Sequence, residues 1–116
     1  MPDFTIYHNP RCSKSRQTLA LLEENGVSPE IVLYLDTPPS AAELKTLLGK
    51  LGMEARALLR KGEEAYKAEG LADTSLDEGA LLAAMVAHPK LIERPIVVKG
   101  DRAVLGRPPE NVLELL

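Results

Sequence analysis

The sequence contains one cysteine, Cys12, and only two histidines, His8 and His88. A single cysteine cannot form an intramolecular disulfide or a cysteine-built zinc site, so we expect a reducing compartment, the cytoplasm by default, and no metal. Aromatic residues are also scarce. Three tyrosines, one phenylalanine and no tryptophan offer few surfaces on which nucleic-acid bases could stack.

The chain also lacks long apolar runs and an excess of positive charge. No run approaches the roughly 20 residues that span a bilayer, and the first residues do not form a signal-peptide pattern, so we expect no membrane partner. The net charge of −3 argues against nucleic-acid binding. Length and composition are those of an ordinary globular domain, and we assign residues 1–116 to one domain.

What the sequence does contain is a strand-helix-strand pattern near its start. Residues 4–8 alternate as in a short strand, "NPRC" predicts a turn, and a helix is predicted from Ser13 to the Asn-Gly pair at 25–26. The continuous apolar run over residues 30–35 predicts a second strand that is covered on both faces. These elements form a βαβ unit.

The middle of the chain predicts helices. "SAAE" at 40–43 has the spacing of a capping box and begins a helix over residues 40–51, and "SLDE" at 75–78 has the same spacing before a helix that ends at His88. Between them, two short helical turns are predicted, closed by Gly62 and Gly70.

The C-terminal segment predicts a β-hairpin. Two apolar runs within residues 94–109 flank a turn at Gly100 and Asp101, and Pro108 and Pro109 can begin a last helix. The whole pattern predicts an α/β fold with a mixed four-stranded sheet flanked by helices.

Cys12 is the candidate nucleophile. It is expected at the N-terminus of the first helix, where backbone N–H groups and the helix dipole favour an anion such as a thiolate. No acidic residue occurs from Phe4 through Leu22, whereas three basic ones do, Arg11, Lys14 and Arg16. His8 could donate a further hydrogen bond. The alternative is that Cys12 is a small buried side chain in an ordinary turn.

Ser15 stands where dithiol oxidoreductases of the C-x-x-C type have their second cysteine. A serine cannot resolve a mixed disulfide, so redox chemistry at Cys12 would need an external thiol. Three arginines, Arg60, Arg94 and Arg107, carry the planar donor fork that suits oxyanions, although composition alone favours an ordinary surface residue at each position.

The segments "TIYHNPRCSKSR", "RALLRKGEEAY", "HPKLIERPIVV" and "LGRPPENVLELL" together resemble the glutaredoxin-coupled arsenate reductase family. The resemblance extends from about Thr5 to the C-terminus. It implies a thioredoxin-like fold with a helical insertion, in which Pro95 is a cis proline beside the active cysteine.

The resemblance also implies a set of roles. Cys12 attacks arsenate, His8 activates its thiolate, and the three arginines, Arg60, Arg94 and Arg107, hold the oxyanion. Glutathione then attacks the thiol-arsenate adduct, and glutaredoxin takes the mixed disulfide as arsenite leaves. No bound cofactor or metal is implied.

Two alternatives share the fold. A related thiol reductase would act on glutathione mixed disulfides or another oxyanion, and it would not need all three arginines. A regulator resembling the Spx proteins would bind RNA polymerase, but such regulators commonly carry a C-x-x-C pair, which Ser15 interrupts.

Overall fold

The structure, a computed structural model that describes residues 4–116, contains a mixed four-stranded β-sheet. The strands are β1 (Phe4–Tyr7), β2 (Glu30–Val32), β3 (Ile96–Lys99) and β4 (Arg102–Leu105), in the spatial order β2-β1-β3-β4. The first strand pairs in parallel with β2 and antiparallel with β3, which pairs antiparallel with β4. The predicted mixed sheet is therefore confirmed.

The helices of the described chain lie between and after these strands in sequence. They are α1 (Ser13–Glu24), α2 (Ala41–Leu51), α3 (Ala55–Leu58), α4 (Glu64–Ala68) and α5 (Glu78–Ala87), with 3₁₀ helices at Pro89–Leu91 and Pro109–Leu115. No helix within residues 4–116 is both long and apolar enough to cross a lipid bilayer.

The chain divides into two compact units. The first comprises the residues up to Thr37 together with Arg94–Leu116, and thus contains the sheet, α1 and the C-terminal 3₁₀ helix. The second unit, Pro38–Glu93, contains α2 to α5 and the 3₁₀ helix Pro89–Leu91, and forms the helical segment between β2 and β3 in sequence.

An apolar cluster fixes α1 and the C-terminal 3₁₀ helix on the sheet of the first unit. Its members are almost fully buried and come from β1, α1, β3 and the 3₁₀ helix: Phe4, Ile6, Leu22, Val97, Val112 and Leu115. Full burial of such a side chain contributes about 1.5–3 kcal/mol relative to exposure. This packing holds the β1–α1 turn, which contains Cys12, between two fixed elements.

The second unit has a core of its own, supplied by α2, α3 and α5. The buried side chains of these helices are mainly leucines: Leu44, Leu47, Leu48, Leu58, Leu81, Leu82 and Met85. Ser40 caps α2 by accepting a hydrogen bond from the Glu43 N–H at 3.1 Å, as the capping box predicts.

Three local expectations are wrong. Strand β2 ends at Val32 and lies at the edge of the sheet with Ile31 48% exposed, because residues 33–37 turn away and pair with no strand. Asp77, not Ser75, caps α5 by accepting from the Ala80 N–H, since the Ser75 hydroxyl donates to Asp73.

The third incorrect expectation concerns the helical turn predicted over residues 53–62. Its helix, α3, ends at Leu58 rather than at Gly62, because Leu59 adopts an extended conformation and forms a β-bridge with Ile92. Gly70, in contrast, has the positive φ of +63° expected after α4.

Candidate active site

Cys12 is the N-cap residue of α1, in the turn that joins the end of β1 to that helix. Its backbone is extended, its side chain is half-buried, and within the described chain it makes no capping hydrogen bond. The first turn of α1 contains no acidic residue. The first N–H groups of a helix have no intrahelical acceptor, so this position suits an anion.

The turn before Cys12 is held by local hydrogen bonds. The Cys12 N–H donates to the Asn9 carbonyl at 3.0 Å, and the Arg11 N–H donates to Asn9 Oδ1 at 3.0 Å. Arg16, one turn into α1, donates from Nη1 to the Pro10 carbonyl at 3.0 Å. These bonds explain why "NPRC" forms a defined turn, since asparagine side chains favour such geometry by bonding to the backbone two residues on.

His8 and Ser15 form a buried pair beside this turn. His8 is 6% exposed and Ser15 is fully buried. The two side chains are joined at 2.6 Å between Nδ1 and Oγ, and Ser15 Oγ also accepts a hydrogen bond from the Asn9 N–H at 3.0 Å. Burial, and secondarily the positive charge of Arg16, lower the pKa of His8 below its usual 6.5. The imidazole is therefore neutral at pH 7.

The hydrogen-bond set assigns the tautomer of His8. The Ser15 hydroxyl has one proton to donate, and no acceptor for it other than His8 Nδ1 is found among residues 4–116. Donation by Ser15 makes Nδ1 the acceptor, so the proton of the neutral ring lies on Nε2. His8 thus has a fixed ring and one N–H donor left to offer.

The structure brings two of the three candidate arginines together. Nη1 of Arg107 lies 3.4 Å from the Arg94 carbonyl oxygen, to which it donates. Each arginine precedes a cis proline, and the cis Arg94–Pro95 bond is the one that the resemblance implies. Nε and Nη1 of Arg94 are buried, whereas the side chain of Arg107 is exposed. The contact between the Arg107 guanidinium and the main chain of Arg94 places the two arginines on adjacent segments, and an arginine guanidinium suits an oxyanion.

The third arginine belongs to the helical unit. Arg60 Nε lies 3.6 Å from Glu93 Oε1, and Arg60 Nη1 lies 3.7 Å from Glu63 Oε2. Its backbone N–H donates to the Leu91 carbonyl at 2.7 Å. These contacts hold Arg60 within its own unit and leave its guanidinium about 25% exposed.

One supporting contact, at Gly106, is not predicted by the sequence. Gly106, which follows β4, is buried between Thr18 of α1 and Pro95. The Gly106 N–H donates to the Pro95 carbonyl at 2.9 Å, and Thr18 Oγ1 donates to the Gly106 carbonyl at 3.3 Å. A Cβ at this position would lie 2.8 Å from Pro95 Cγ and from Thr18 Cγ2, so only glycine fits.

The burial pattern of α1 contains the signal that could have revealed this contact. Its buried residues are Ser15, Thr18 and Leu22, so the inward face includes two fully buried hydroxyl groups. Polar residues at helical spacing with a core leucine mark a face that contacts backbone groups.

Within residues 4–116, no three His, Cys, Asp or Glu side chains are grouped as metal ligands would be.

The comparisons with known proteins cover almost the whole chain. The family model described as the ArsC family matches residues 7–115. A protein of Escherichia coli K12 named "uncharacterized protein YfgD" is 63% identical over 96% of this chain and 94% of its own. A Neisseria meningitidis serogroup A protein named arsenate reductase is 51% identical over the full length of both chains.

A solved structure gives the same picture. The structure titled arsenate reductase from Vibrio cholerae superposes with a TM-score of 0.95 at 58% sequence identity, covering 97% of each chain. A TM-score this high confirms that the chain has the expected thioredoxin-like fold with its mixed sheet and flanking helices.

Proposed function

Because the chain belongs to the ArsC family, we propose that it is an arsenate reductase in which Cys12 is the nucleophile. The observation that carries this proposal is the position of the only cysteine, half-buried at the N-cap of α1 with no capping hydrogen bond. Two relatives named arsenate reductase support the choice of substrate.

The first step forms a sulfur-arsenic bond. The Cys12 thiolate attacks the arsenic of arsenate, and one oxygen leaves as water after protonation, which gives a Cys12–S–As(V) adduct. Arsenic is not yet reduced. The positive end of α1 favours both the thiolate before attack and the arsenate oxygens after it.

The second step transfers the electrons. The thiolate of glutathione attacks the Cys12 sulfur, a disulfide forms, and the S–As bond breaks with its electron pair retained by arsenic. Arsenic becomes As(III) and leaves as arsenite. A glutaredoxin, or a second glutathione, then reduces the mixed disulfide and regenerates Cys12, so one arsenate consumes two thiol equivalents. The lone cysteine supports this dependence on outside thiols, since Ser15 cannot serve as a resolving thiol.

The arginines stabilise the oxyanion in this proposal. Arg94 and Arg107 are adjacent and present guanidinium donors to arsenate and to the adduct, and the resemblance adds Arg60. Charge-assisted hydrogen bonds contribute about 1.5–3 kcal/mol each. Loss of one such arginine should therefore lower kcat/KM for arsenate roughly 10- to 150-fold.

His8 is the proposed thiolate-activating residue. Its ring is held by Ser15 and carries its proton on Nε2, so it can donate a neutral hydrogen bond to the sulfur anion. A neutral donor activates the thiolate without adding a second full charge that would have to be neutralised in the site. Ser15 acts through His8 as a positioning residue.

The decisive experiment measures arsenite production from arsenate with glutathione and a glutaredoxin. We expect turnover by the wild-type protein and none above background with Cys12→Ser. Arg94→Ala should lower kcat/KM for arsenate, whereas Arg102→Ala, an exposed arginine of the same unit whose Nη2 donates to the Glu114 carbonyl, should not. Absence of Cys12-dependent turnover would refute the proposed activity and favour a related thiol reductase.

The proposed partners follow from this chemistry. Arsenate is the substrate, glutathione the reductant and glutaredoxin the protein that regenerates Cys12. Because reduced glutathione is required, a reducing compartment such as the cytoplasm is the expected location.

A further inference from the structure

A cavity of about 350 Å³ opens beside the turn that carries Cys12. One wall is the segment 8–11 between β1 and α1, and the other is formed by Leu33, Leu35 and Asp36 after β2. Both walls belong to the sheet-containing unit. The volume lies within the range of about 300–1,000 Å³ that is typical of small-molecule sites.

The two walls carry opposite, unused charges. The Arg11 guanidinium and the Asp36 carboxylate both line the cavity, and neither has a hydrogen-bond or ion-pair partner among residues 4–116. The backbone around them is already satisfied, because the Arg11 N–H donates to Asn9 Oδ1 and the Asp36 N–H donates to the Leu33 carbonyl at 3.0 Å. The side chains are thus held on formed turns and available to a ligand.

Apolar side chains also line the cavity. Leu33 is 40% exposed, and Leu35 and Pro10 also contribute to the walls. Ile31, on the edge strand β2, is also exposed, at 48%. The cavity therefore fits a small molecule with a cationic group, an anionic group and an apolar segment between them.

Glutathione has this distribution of groups. Its γ-glutamyl end carries an α-ammonium group beside an α-carboxylate, its glycine end carries a carboxylate, and methylene and amide groups lie between the two ends. We propose that this cavity binds glutathione, with Asp36 paired to the α-ammonium group and Arg11 to the glycine carboxylate, an inference that rests on the proposed function.

The position of the cavity supports this role. Arg11 directly precedes Cys12, and consecutive Cα atoms lie about 3.8 Å apart, so the anion-binding wall is one residue from the nucleophile. His8, the proposed thiolate-activating residue, lines the same cavity. A tripeptide bound in this cavity would lie against the segment that leads directly into Cys12.

Binding can be tested without turnover by NMR. S-methylglutathione, which cannot form a disulfide, is titrated into the ¹⁵N-labelled wild-type protein with no arsenate present. We expect shift changes concentrated on the amides of His8, Asn9, Arg11 and residues 33–36. Shift changes elsewhere in the chain, or none at millimolar ligand, would overturn the proposal.

Modified ligands test each charge separately. The N-acetyl derivative of S-methylglutathione lacks the ammonium group, and the glycine ethyl ester lacks that carboxylate. We expect Asp36→Asn to weaken binding of the parent roughly two- to fivefold, as for an exposed ion pair, and to leave binding of the N-acetyl derivative unchanged. Arg11→Gln should behave in the same way toward the ester. Equal losses for parent and modified ligand would contradict the pairing.

Matched variants and kinetics separate this inference from the proposed function. Asp101→Asn in the β3–β4 turn and Lys45→Gln on α2 remove exposed charges from residues that do not line the cavity, and they should leave the binding of S-methylglutathione unchanged. Binding at the cavity without arsenite production would refute only the reductase activity. Turnover in which Asp36→Asn and Arg11→Gln leave KM for glutathione unchanged would refute only the cavity.

Discussion

Replacement of Ser15 by alanine tests the hydrogen-bond network that holds His8. The hydroxyl makes two bonds, one to buried His8 Nδ1 at 2.6 Å and one from the partly buried Asn9 N–H at 3.0 Å. The substitution removes one oxygen and leaves both partners in place. Because Ser15 is fully buried, water cannot easily replace its hydroxyl.

The magnitude follows from these two partners. A buried polar group left without a partner costs about 1–3 kcal/mol, and a partly buried one costs less because water can reach it. We therefore expect Ser15→Ala to lower the free energy of unfolding by about 2–3 kcal/mol. With an m-value of about 1–2 kcal/mol per molar urea, the midpoint should fall by roughly 1–3 M.

The assay is urea denaturation combined with the rate of Cys12 alkylation. Thr46→Ala is the matched control, because the Thr46 hydroxyl donates to the Ala42 carbonyl at 3.1 Å on the exposed face of α2 and its loss should change stability by less than about 0.5 kcal/mol. Under native conditions, alkylation of Cys12 at pH 7 should slow in Ser15→Ala and not in Thr46→Ala. A stability loss no larger than that of the control would refute the reasoning about the buried pair.

Two further predictions concern packing and pH. Gly106→Ala should destabilise the protein by about 1–3 kcal/mol, because the new Cβ would lie 2.8 Å from Pro95 Cγ. Gly49→Ala in α2 is the control, since its Cβ meets no atom within 4 Å and should stabilise the protein by about 0.5–1 kcal/mol. Thermal denaturation should show a lower melting temperature for the first variant and a higher one for the second. His8 has a pKa lowered from 6.5 by burial and by Arg16, so the folded state disfavours the protonated ring. The contribution of the neutral His8 ring to the free energy of unfolding is complete above about pH 6.5. It is lost as the pH falls from there toward the lowered pKa of His8 in the folded state. Urea titrations at pH 7.5, 6.5 and 5.5 should show this decline in the wild type and a smaller one in His8→Gln.

Each of these has an outcome that contradicts it. If Gly106→Ala and Gly49→Ala shift the melting temperature in the same direction, the close approach of α1 and Pro95 to Gly106 is not as described. If the pH slopes of wild type and His8→Gln coincide, protonation of His8 is not linked to folding.

The sequence predicted the elements that depend on neighbouring residues. The capping box at Ser40, the Asn-Gly stop after α1 and the turn at Gly100 are local devices, and each lies where expected. The position of Cys12 at a helix N-terminus is also local, since it needs only a strand, a turn and a helix in succession. A local pattern misled where two residues could cap the same helix, as Asp77 did in place of Ser75.

The candidate site was predictable only in part. Periodicity and charge singled out Cys12, but the roles of Arg94 and Arg107 came from the resemblance. Arg107 Nη1 lies 3.4 Å from the Arg94 carbonyl because β3 pairs with β4. This pairing brings the segment before β3 next to the segment after β4. Spacing in sequence contains no such information.

By itself the sequence determined the order of the main strands and helices, that the one cysteine lies in a basic turn, and that any redox chemistry there needs an outside thiol. Tertiary structure alone decided that β2 is a short edge strand, that Ser15 is buried against His8, and that Gly106 has no space for a side chain. It also placed Arg11 and Asp36 on opposite walls of one cavity. The physical reason is that helix caps and turns are set by bonds within a few residues, whereas burial and the convergence of charges arise only when distant segments pack.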